Sequence, residues 1–441
     1  MKFTFAVTGF IGLVLTLGVN PARPQVDVLG RADARIHEYR TGEARLRLVG
    51  PDGHAVATGR NVKIEQTRHK FLFGSNIFML GKCRTVQDSE AYAARFAELL
   101  NYATVPFYWW IYEPFQGRPN YSDTEKVIAW CVAHQVTMKG HPLAWNFQDP
   151  SWLPANPEIA MGAQLDRVQK CVRQFKGKID IWDAVNEATQ YDRPETREHS
   201  PVLTEAIRHM GVPDYIRTVF RVARNANPEA TLLINDYRTD PAYAENVISK
   251  LTDQDGHPLN DVIGIQCHQH RGAWTADTIW EICERFASFG KPLHFTEATI
   301  LSGQPGWDLK KNGSELKWES TPEGEQRQAD EVERFYTVLF SHPAVEAITW
   351  WDFSDQGAWQ GAPAGLLRAD MTPKPAYQTL LRLIKGKWWT RVEVPVGTQG
   401  EARYRGFFGD YKISVEDHGR ELTGAFTFDK TSRMPIQVQL K

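Results

Sequence analysis

The chain of 441 residues is long enough for one large domain with additional segments, and its 42% apolar and 12% aromatic residues can fill a substantial core. This composition excludes a disordered chain. The formal net charge of −2 gives no reason to expect a nucleic acid or an anionic membrane surface as a partner.

The first 24 residues have the features of a secretory signal peptide. A lysine precedes an apolar run that extends to Val19, and Pro21 and Pro24 prevent a continued helix. We therefore expect residues 1–24 to be removed and the protein to be secreted, into the extracellular space or the periplasm. A retained anchor helix is the alternative that the same apolar run allows.

Two segments, residues 25–70 and 391–441, are predicted to be rich in β-structure. In the first, ARLRLVG and NVKIEQT flank the turn PDG, as in a hairpin. In the second, ARYRGFFGDYKISVEDHG is followed by ELTGAFTF. Because both segments lie outside the central region, we expect them to pack together as structural cover for it, in preference to binding carbohydrate.

The central region, residues 71–385, alternates between short apolar runs and segments with helical periodicity. Strands that alternate with helices indicate parallel βαβ units, and eight units over this length predict an α/β fold, a (β/α)8 TIM barrel. A doubly wound open sheet is the alternative, but no glycine-rich phosphate turn follows any of the runs. The apolar runs are FLFGSNIF, NYATVPF, VTMKGHPLAW, IDIWDAVNE, ATLLINDY, VIGIQCH, PLHFTE and EAITWWDF.

Polar and aromatic side chains follow several of these predicted strands. In a (β/α)8 barrel the carboxyl ends of all strands open to one crevice, so these side chains are predicted to converge. The residues in these positions are His141, Trp145, Asn186, Glu187, Asn235, Asp236, Tyr237, Gln266, His268, Glu297 and Trp351.

Glu187 and Glu297 form the most informative pair in this set. A retaining glycosidase needs two carboxyl groups about 5 Å apart, one to attack the anomeric carbon and one to protonate the leaving oxygen. Asn186 could then bind the sugar 2-hydroxyl as the transition state forms. Taken alone, each glutamate could equally be a helix cap or an ion-pair partner.

The motifs GHPLAWN, WDAVNEA, INDY, GIQCH, FTEA and ITWWDFSDQGAW, with GLLRADMTPKPAY after them, resemble glycoside hydrolase family 10, the retaining endo-β-1,4-xylanases. The resemblance implies an eight-fold barrel with Glu187 as acid/base and Glu297 as nucleophile. It implies that His268 hydrogen-bonds the nucleophile. It also implies a sugar subsite lined by His141, Trp145, Asn186, Gln266, Trp351 and Trp359.

The resemblance also implies a class of substrate. The substrate would be β-1,4-xylan or a related β-linked plant polysaccharide or oligosaccharide, and no cofactor or metal would be needed. We expect a monomer that contacts no nucleic acid and, after signal cleavage, no membrane.

The sequence departs from the family at three places. VPFYWWIY stands where the family has an acidic-Asn pair and a Met-Lys-Trp, and Ala298 and Thr299 follow Glu297 in place of Leu-Asp. Asn146 replaces an expected second histidine. These differences predict retained chemistry with altered sugar recognition.

Two other functions are compatible with the same residues. His268 and His270 lie on alternate strand positions and, with His141, could bind a metal in a metal-dependent barrel hydrolase. Alternatively, the barrel could bind glycans without cleaving them. The five cysteines are odd in number and widely spaced, so we predict buried thiols and neither a disulfide framework nor a zinc site.

Overall fold

A computed structural model describes the chain at residues 27–306, 318–417 and 419–441. The predicted signal peptide, residues 1–24, lies outside the described residues. The strands are β1 (Thr41–Val49), β2 (Asn61–His69), β3 (Leu72–Asn76), β4 (Tyr102–Pro106), β5 (Thr137–His141), β6 (Ile181–Asn186), β7 (Thr231–Asp236), β8 (Val262–His268), β9 (Leu293–Thr299), β10 (Val345–Trp350), β11 (Arg391–Pro395), β12 (Glu401–Phe407), β13 (Gly409–Asp417), β14 (Arg420–Phe428) and β15 (Ile436–Gln439).

Helices follow most of the central strands. They are α1 (Ala32–Arg40), α2 (Val86–Leu99), α3 (Trp109–Tyr112), α4 (Tyr121–Ala133), α5 (Pro157–Gln174), α6 (Pro194–His199), α7 (Pro201–Met210), α8 (Val212–Ala226), α9 (Pro241–Asn246), α10 (Ala276–Ala287), α11 (Pro322–Ser341) and α12 (Pro375–Arg382). None of the helices in the described ranges is long and apolar enough to cross a bilayer.

Strands β3 to β10 form a closed barrel in which each strand runs parallel to its neighbours. The predicted (β/α)8 fold is therefore confirmed. Strands such as β9 are buried at every position, because side chains on one face fill the barrel and those on the other pack against helices. The apolar content of the eight runs is thus explained by burial on both faces.

Several helices around the barrel begin with the same local arrangement, a polar residue followed by proline. Asn156 accepts a hydrogen bond from the backbone N–H of Ile159 and precedes Pro157 at the start of α5. Asp240 does the same before α9, and Thr321 before α11. The polar side chain satisfies an N–H that has no partner within the helix, and proline fits the first turn without strain.

The flanking segments assemble into two sheets, with strand orders β12-β1-β15 and β11-β2-β13-β14. Strands from the two ends of the chain thus pair with each other. The predicted hairpin of ARLRLVG with NVKIEQT is wrong, because β1 and β2 lie in different sheets. Each has its hydrogen bonds taken by strands from residues 391–441, and β13 and β14 form the hairpin instead.

Helix α1 was not predicted, and its burial explains why. Only Ala32 and Ile36 are buried, so the helix has almost no apolar stripe to recognise in the sequence. It is held by Arg40, whose guanidinium donates to the backbone carbonyls of Phe340, His342 and Val345 at the amino-terminal end of the barrel. All five cysteines are free thiols; four are buried and Cys83 is half-buried.

Gly140 of β5 lies where the barrel is closely packed against Trp182. A Cβ at this position would lie 2.1 Å from the Cζ3 atom of fully buried Trp182. We expect Gly140→Ala to lower the free energy of unfolding by about 1–3 kcal/mol through overpacking. Gly162→Ala is the control, since that position in α5 faces open space and should gain about 0.5–1 kcal/mol. Urea titrations that rank the two variants the other way would contradict this account.

Candidate active site

Glu187 and Glu297 lie at the carboxyl ends of β6 and β9, at the same end of the barrel. Both side chains are largely buried. Glu187 has φ 51° and ψ 33°, a left-handed conformation that is unusual for a residue other than glycine. This turn ends β6, and the N–H of Glu187 donates to the carbonyl of Asn235 on β7. Such backbone strain, of about 1–3 kcal/mol, is most often found at functional sites.

A line of four hydrogen bonds connects the two glutamates through three amide side chains. Gln266 Nε2 donates to Glu187 Oε1 at 3.0 Å and to Asn186 Oδ1 at 3.2 Å. Asn235 Nδ2 donates to the same oxygen of Asn186 at 2.8 Å and to Glu297 Oε1 at 2.9 Å. The carboxylates therefore occupy fixed positions relative to each other, in surroundings that contain few freely rotating groups.

Glu297 is surrounded by donors and positive charge. Nε2 of His268 lies 3.1 Å from Oε2, and Nε2 of His141 lies 4.0 Å from Oε1. Burial alone would raise the pKa of Glu297, but the hydrogen bond from His268 and the fields of His141 and Lys139 hold it below its ordinary value. Glu297 is thus an ionised carboxylate at neutral pH, as a nucleophile must be.

His268 is oriented by Thr299, which stands where the family has aspartate. Nδ1 of His268 lies 2.8 Å from the Thr299 hydroxyl, and that hydroxyl also lies 2.8 Å from the carbonyl of Trp351. A hydroxyl can serve both neighbours, since it has one proton to donate and two lone pairs. Thr299 therefore positions the imidazole ring of His268 as an aspartate could, but without adding a negative charge.

A buried charged group lies beneath His141. Asp183 Oδ2 is 2.7 Å from both Nδ1 of His141 and Nζ of Lys139, and the side chains of Lys139 and Asp183 are 0% exposed. Burial alone would raise the pKa of Asp183, but Lys139 and His141 hold it below its ordinary value. The carboxylate thus fixes the ring so that Nε2 points toward Glu297.

The predicted tryptophans lie around the two glutamates. Trp351 packs edge-on against His141, with ring centroids 5.5 Å apart, and Trp359 lies 4.7 Å from His268. Trp145 lies 6.5 Å from His141, and its Nε1 is buried without a partner in the described ranges. Every residue predicted for the site is therefore gathered at this end of the barrel.

Some side chains of the aromatic stretch VPFYWWIY pack in the core, and others line the cleft beside the two glutamates. Trp109 is buried and donates to Glu113, so it has a structural role. Tyr108 instead lies 5.6 Å from His141 and 6.0 Å from Trp145, and burial raises its pKa well above the usual range. Trp110 lies 5.3 Å from Tyr108 and stacks on Phe147. We call Tyr108, Trp110, Trp145 and Phe147 the aromatic wall.

The oxygen of Glu187 that does not accept from Gln266 forms an ion pair with Arg193. Nη2 of Arg193, in the loop before α6, lies 2.7 Å from Oε2 of Glu187. The guanidinium also lies 6.0 Å from the ring of Tyr237, which follows β7.

Burial, with a smaller contribution from the charge of Glu187, raises the pKa of neighbouring Asp236 to about 6.

Asn146 holds a loop and does not contact the two glutamates. Its amide donates to the carbonyl of Tyr191 at 2.7 Å and to the hydroxyl of Thr204 at 2.9 Å. Both partners lie on the segment that follows Glu187. The replacement of histidine at this position therefore affects the positioning of that segment.

The alternative of a histidine-bound metal needs three ligand atoms in close proximity. Among the residues that the structure describes, three such atoms fall within 4.8 Å of one another only at exposed Asp253, Asp255 and His257. His141, His268 and His270 form no such group. His141 and His268 are instead occupied with Asp183, Thr299 and Glu297.

Sequence reasoning missed several contributors to the site. The position of Asn235 at a strand end predicts convergence but no particular role, and nothing in the run VPFYWWIY separates Tyr108 from its aromatic neighbours. Arg193 had no detectable signal, since it lies in a loop six residues after Glu187. Lys139 and Asp183 precede the expected motif residues by two and four positions on their strands, where alternation points them into the barrel.

The model of glycosyl hydrolase family 10 matches residues 72–383. Endo-1,4-beta-xylanase B of Thermotoga neapolitana is 29% identical over 297 residues, which are 63% of this chain and 78% of that protein. Anti-sigma-I factor RsgI6 of Acetivibrio thermocellus is 24% identical over 92% of this chain, and this match spans half of that protein.

Solved structures show the same architecture. Xylanase 10B from Thermotoga petrophila RKU-1, in complex with xylobiose, superimposes with a TM-score of 0.57 at 25% identity. The match covers 72% of this chain and 95% of that one. The parts of this chain left unmatched exceed a quarter of its length, as expected for a barrel with two flanking sheets.

Removal of one partner from the buried pair of Lys139 and Asp183 should be strongly destabilising. Asp183→Asn leaves the charge of Lys139 buried without a counter-ion, so we expect a loss of about 3 kcal/mol or more in the free energy of unfolding. Asp166→Asn is the control, because Asp166 pairs with Lys170 at 2.6 Å on the surface and should change stability by less than about 0.5 kcal/mol. Equal urea midpoints for the two variants would contradict the dependence of Lys139 on its buried counter-ion.

Proposed function

Because the chain belongs to glycosyl hydrolase family 10, and so is a glycoside hydrolase resembling endo-1,4-β-xylanases, we propose that it is a secreted, retaining endo-glycosidase. Its substrate is β-1,4-xylan or a related β-linked plant polysaccharide. Glu297 is the nucleophile and Glu187 the acid/base. The observation that carries the proposal is the hydrogen-bonded line of amides that fixes these two carboxylates relative to each other.

In the first step, the ionised Glu297 attacks the anomeric carbon and forms a covalent glycosyl-enzyme. Its lowered pKa supports this role, since the carboxylate is ready to attack without losing a proton. His268 and Asn235 each donate to one of its oxygens and hold it in line. When the intermediate is hydrolysed, the same two side chains can again donate hydrogen bonds to the released carboxylate.

Glu187 protonates the glycosidic oxygen as the bond breaks, and then takes a proton from the water that attacks the intermediate. Gln266 holds one of its oxygens. Asn186 accepts two hydrogen bonds through Oδ1, which leaves its NH₂ group for the sugar 2-hydroxyl. His141 and Nε1 of Trp145, which has no hydrogen-bond partner among the described residues, supply further donors for sugar hydroxyls.

Sugars on the non-reducing side contact the aromatic wall instead of the polar groups that the family carries there. Stacking on aromatic faces tolerates changes in hydroxyl pattern and added substituents. Hydrogen-bonding sites reject such changes, because their buried donors are left unpaired. We therefore propose weaker selection at the second sugar than in a typical xylanase.

The roles of the two glutamates are separable by substitution. Glu297→Ala should lose about 10⁴-fold or more in rate, since the covalent step has no nucleophile. Glu187→Ala should retain activity on substrates whose leaving groups need no protonation, and azide should restore turnover with retained anomeric configuration. Glu333→Ala is the control, because Glu333 lies on the exposed face of α11 and pairs with Arg382.

Three results would contradict these assignments. Azide products of inverted configuration from Glu187→Ala would exchange the two roles. Loss of activity on treatment with a chelator would favour a metal-dependent hydrolase. If the folded wild-type protein releases no reducing sugar from a panel of plant polysaccharides, the barrel only binds glycans or acts on another substrate.

The aromatic wall predicts tolerance of decorated substrates. Between linear and branched xylo-oligosaccharides, kcat/KM should fall by less than about a hundredfold, equivalent to nearly 3 kcal/mol of transition-state binding. Trp110→Ala should lower kcat/KM on both by about tenfold, through lost stacking. Trp130→Ala removes a tryptophan that stacks on His134 of the outer surface and should have no such effect. A larger fall on decoration would show a selective site.

A further inference from the structure

Asp352 is a buried carboxyl group at the mouth of the barrel to which the mechanism above gives no role. It lies two residues after the end of β10, within the motif ITWWDFSDQGAW, and is 9% exposed. A buried carboxyl group is costly unless its oxygens accept hydrogen bonds. The two donors that Asp352 has therefore indicate what it does.

Each oxygen of Asp352 accepts a hydrogen bond from a different part of the chain. Nδ2 of Asn76, at the end of the neighbouring strand β3, lies 2.6 Å from Oδ1. The backbone N–H of Trp359 donates to Oδ2 at 2.6 Å. Burial raises the pKa of Asp352 to about 6, and the two hydrogen bonds oppose this effect. At neutral pH the carboxylate is therefore ionised, and hydrogen bonds to a charged acceptor are roughly twice as strong as those between neutral groups.

Trp359 covers the histidine that contacts the proposed nucleophile. Its ring lies 4.7 Å from that of His268, and Nε2 of His268 lies 3.1 Å from Oε2 of Glu297. Trp359 is 39% exposed, so part of its surface is open to a sugar. An aromatic ring held in this position keeps water from the hydrogen bond between His268 and Glu297 and presents a flat apolar surface to the attacked sugar.

The segment 352–359 is also fixed in its middle, by contacts that do not include the tryptophan. Nζ of Lys374 lies 2.7 Å from Oδ2 of Asp355. The chain then turns at Gly357, whose φ of 75° suits glycine. Trp359 lies beyond this turn. The carboxylate of the first residue in the segment thus connects the last residue to the barrel.

Resting on the function proposed above, we propose that Asp352, held by Asn76, is a positioning residue that keeps Trp359 over His268 and the attacked sugar. Asp352 acts on the reaction through the tryptophan and does not contact the substrate. Neither Asn76 nor Asp352 has a role in what the family resemblance implies. The ends of two adjacent barrel strands thereby support an aromatic side chain that follows seven residues later in the chain.

Fluorine NMR of protein labelled with fluorotryptophan reports the surroundings of Trp359 without any turnover. Trp359→Phe identifies the resonance, because it removes that signal. Asp352→Ala should move the resonance toward that of a solvent-exposed indole, since the backbone N–H of the tryptophan loses its acceptor. Asp370→Asn is the matched control and should leave the resonance in place. Asp370 lies in the same loop and also accepts from a backbone N–H, that of Thr372, but it is exposed.

A double-mutant cycle tests whether Asp352 acts through the tryptophan. On linear xylo-oligosaccharides, Trp359→Ala should lower kcat/KM by about tenfold through lost stacking. Asp352→Ala should lower it by about tenfold or less, since the ring is released but still present. The variant with both substitutions should be no worse than Trp359→Ala. Independent effects would instead multiply, to a loss of up to about a hundredfold.

An exchange of the two polar side chains tests the hydrogen bond between them. Asp352→Asn leaves one oxygen in place of two, so one of the two hydrogen bonds is lost. Asn76→Asp brings two buried carboxyl groups together. Each substitution alone should lower kcat/KM. The two together again give one amide and one carboxylate, with the amide oxygen at position 352 accepting from Trp359, and should recover to within about threefold of the wild type.

The outcomes separate this proposal from the proposed function. An unmoved Trp359 resonance in folded Asp352→Ala, a multiplicative loss in the cycle, or no recovery in the exchanged pair would overturn the positioning role and leave the glycosidase intact. If Asp352→Ala does not fold, the exchanged pair and the fluorine spectrum of the isosteric Asp352→Asn decide the result. Failure of the folded wild-type protein to cleave linear oligosaccharides would overturn the proposed function, and the spectra would still test the positioning of Trp359.

Discussion

The hydrogen-bonded line from Glu187 through Gln266, Asn186 and Asn235 to Glu297 is the constraint on which the site depends. Its members come from four consecutive barrel strands, β6 to β9, so the line exists only when those strands are in register. Buried amides are costly unless they are paired. The polar groups of the site therefore help to specify the barrel that positions them.

The two glutamates differ in what surrounds them. Glu297 faces His268, His141 and, through Asp183, a buried lysine, and all of these favour its ionised form. Among the residues that the structure describes, Glu187 forms an ion pair with Arg193, which lies on the loop before α6. The buried pair of Lys139 and Asp183 thus lies on the side of Glu297, the proposed nucleophile, which needs the same protonation state in every cycle. Arg193 lies beside Glu187, the proposed acid/base, which must gain and lose a proton.

The barrel and the core of the site are predictable from the sequence because parallel strands buried on both faces leave long apolar runs. Polar residues at the ends of such runs must then converge. Glu187, Glu297 and Gln266 occupy such positions, and the structure brings them together. Arg193 was not predicted, because a loop residue has no periodicity that ties its position to a strand end. Strand pairing in the flanks failed for a related reason: β1 and β2 are separated by a turn, but their partners lie more than 300 residues away.

The interleaving of the two chain ends in the flanking sheets has a consequence for biosynthesis. Thr41 of β1 pairs with Phe407, and Leu46 pairs with Ile436, so neither contact can form until the whole barrel has left the ribosome. A folded barrel brings its ends together and shortens the loop that these contacts must close. A nascent chain that stops within the barrel leaves β1 and β2 with open edges, which favour pairing with other chains. The flanking sheets thus couple solubility to completed translation.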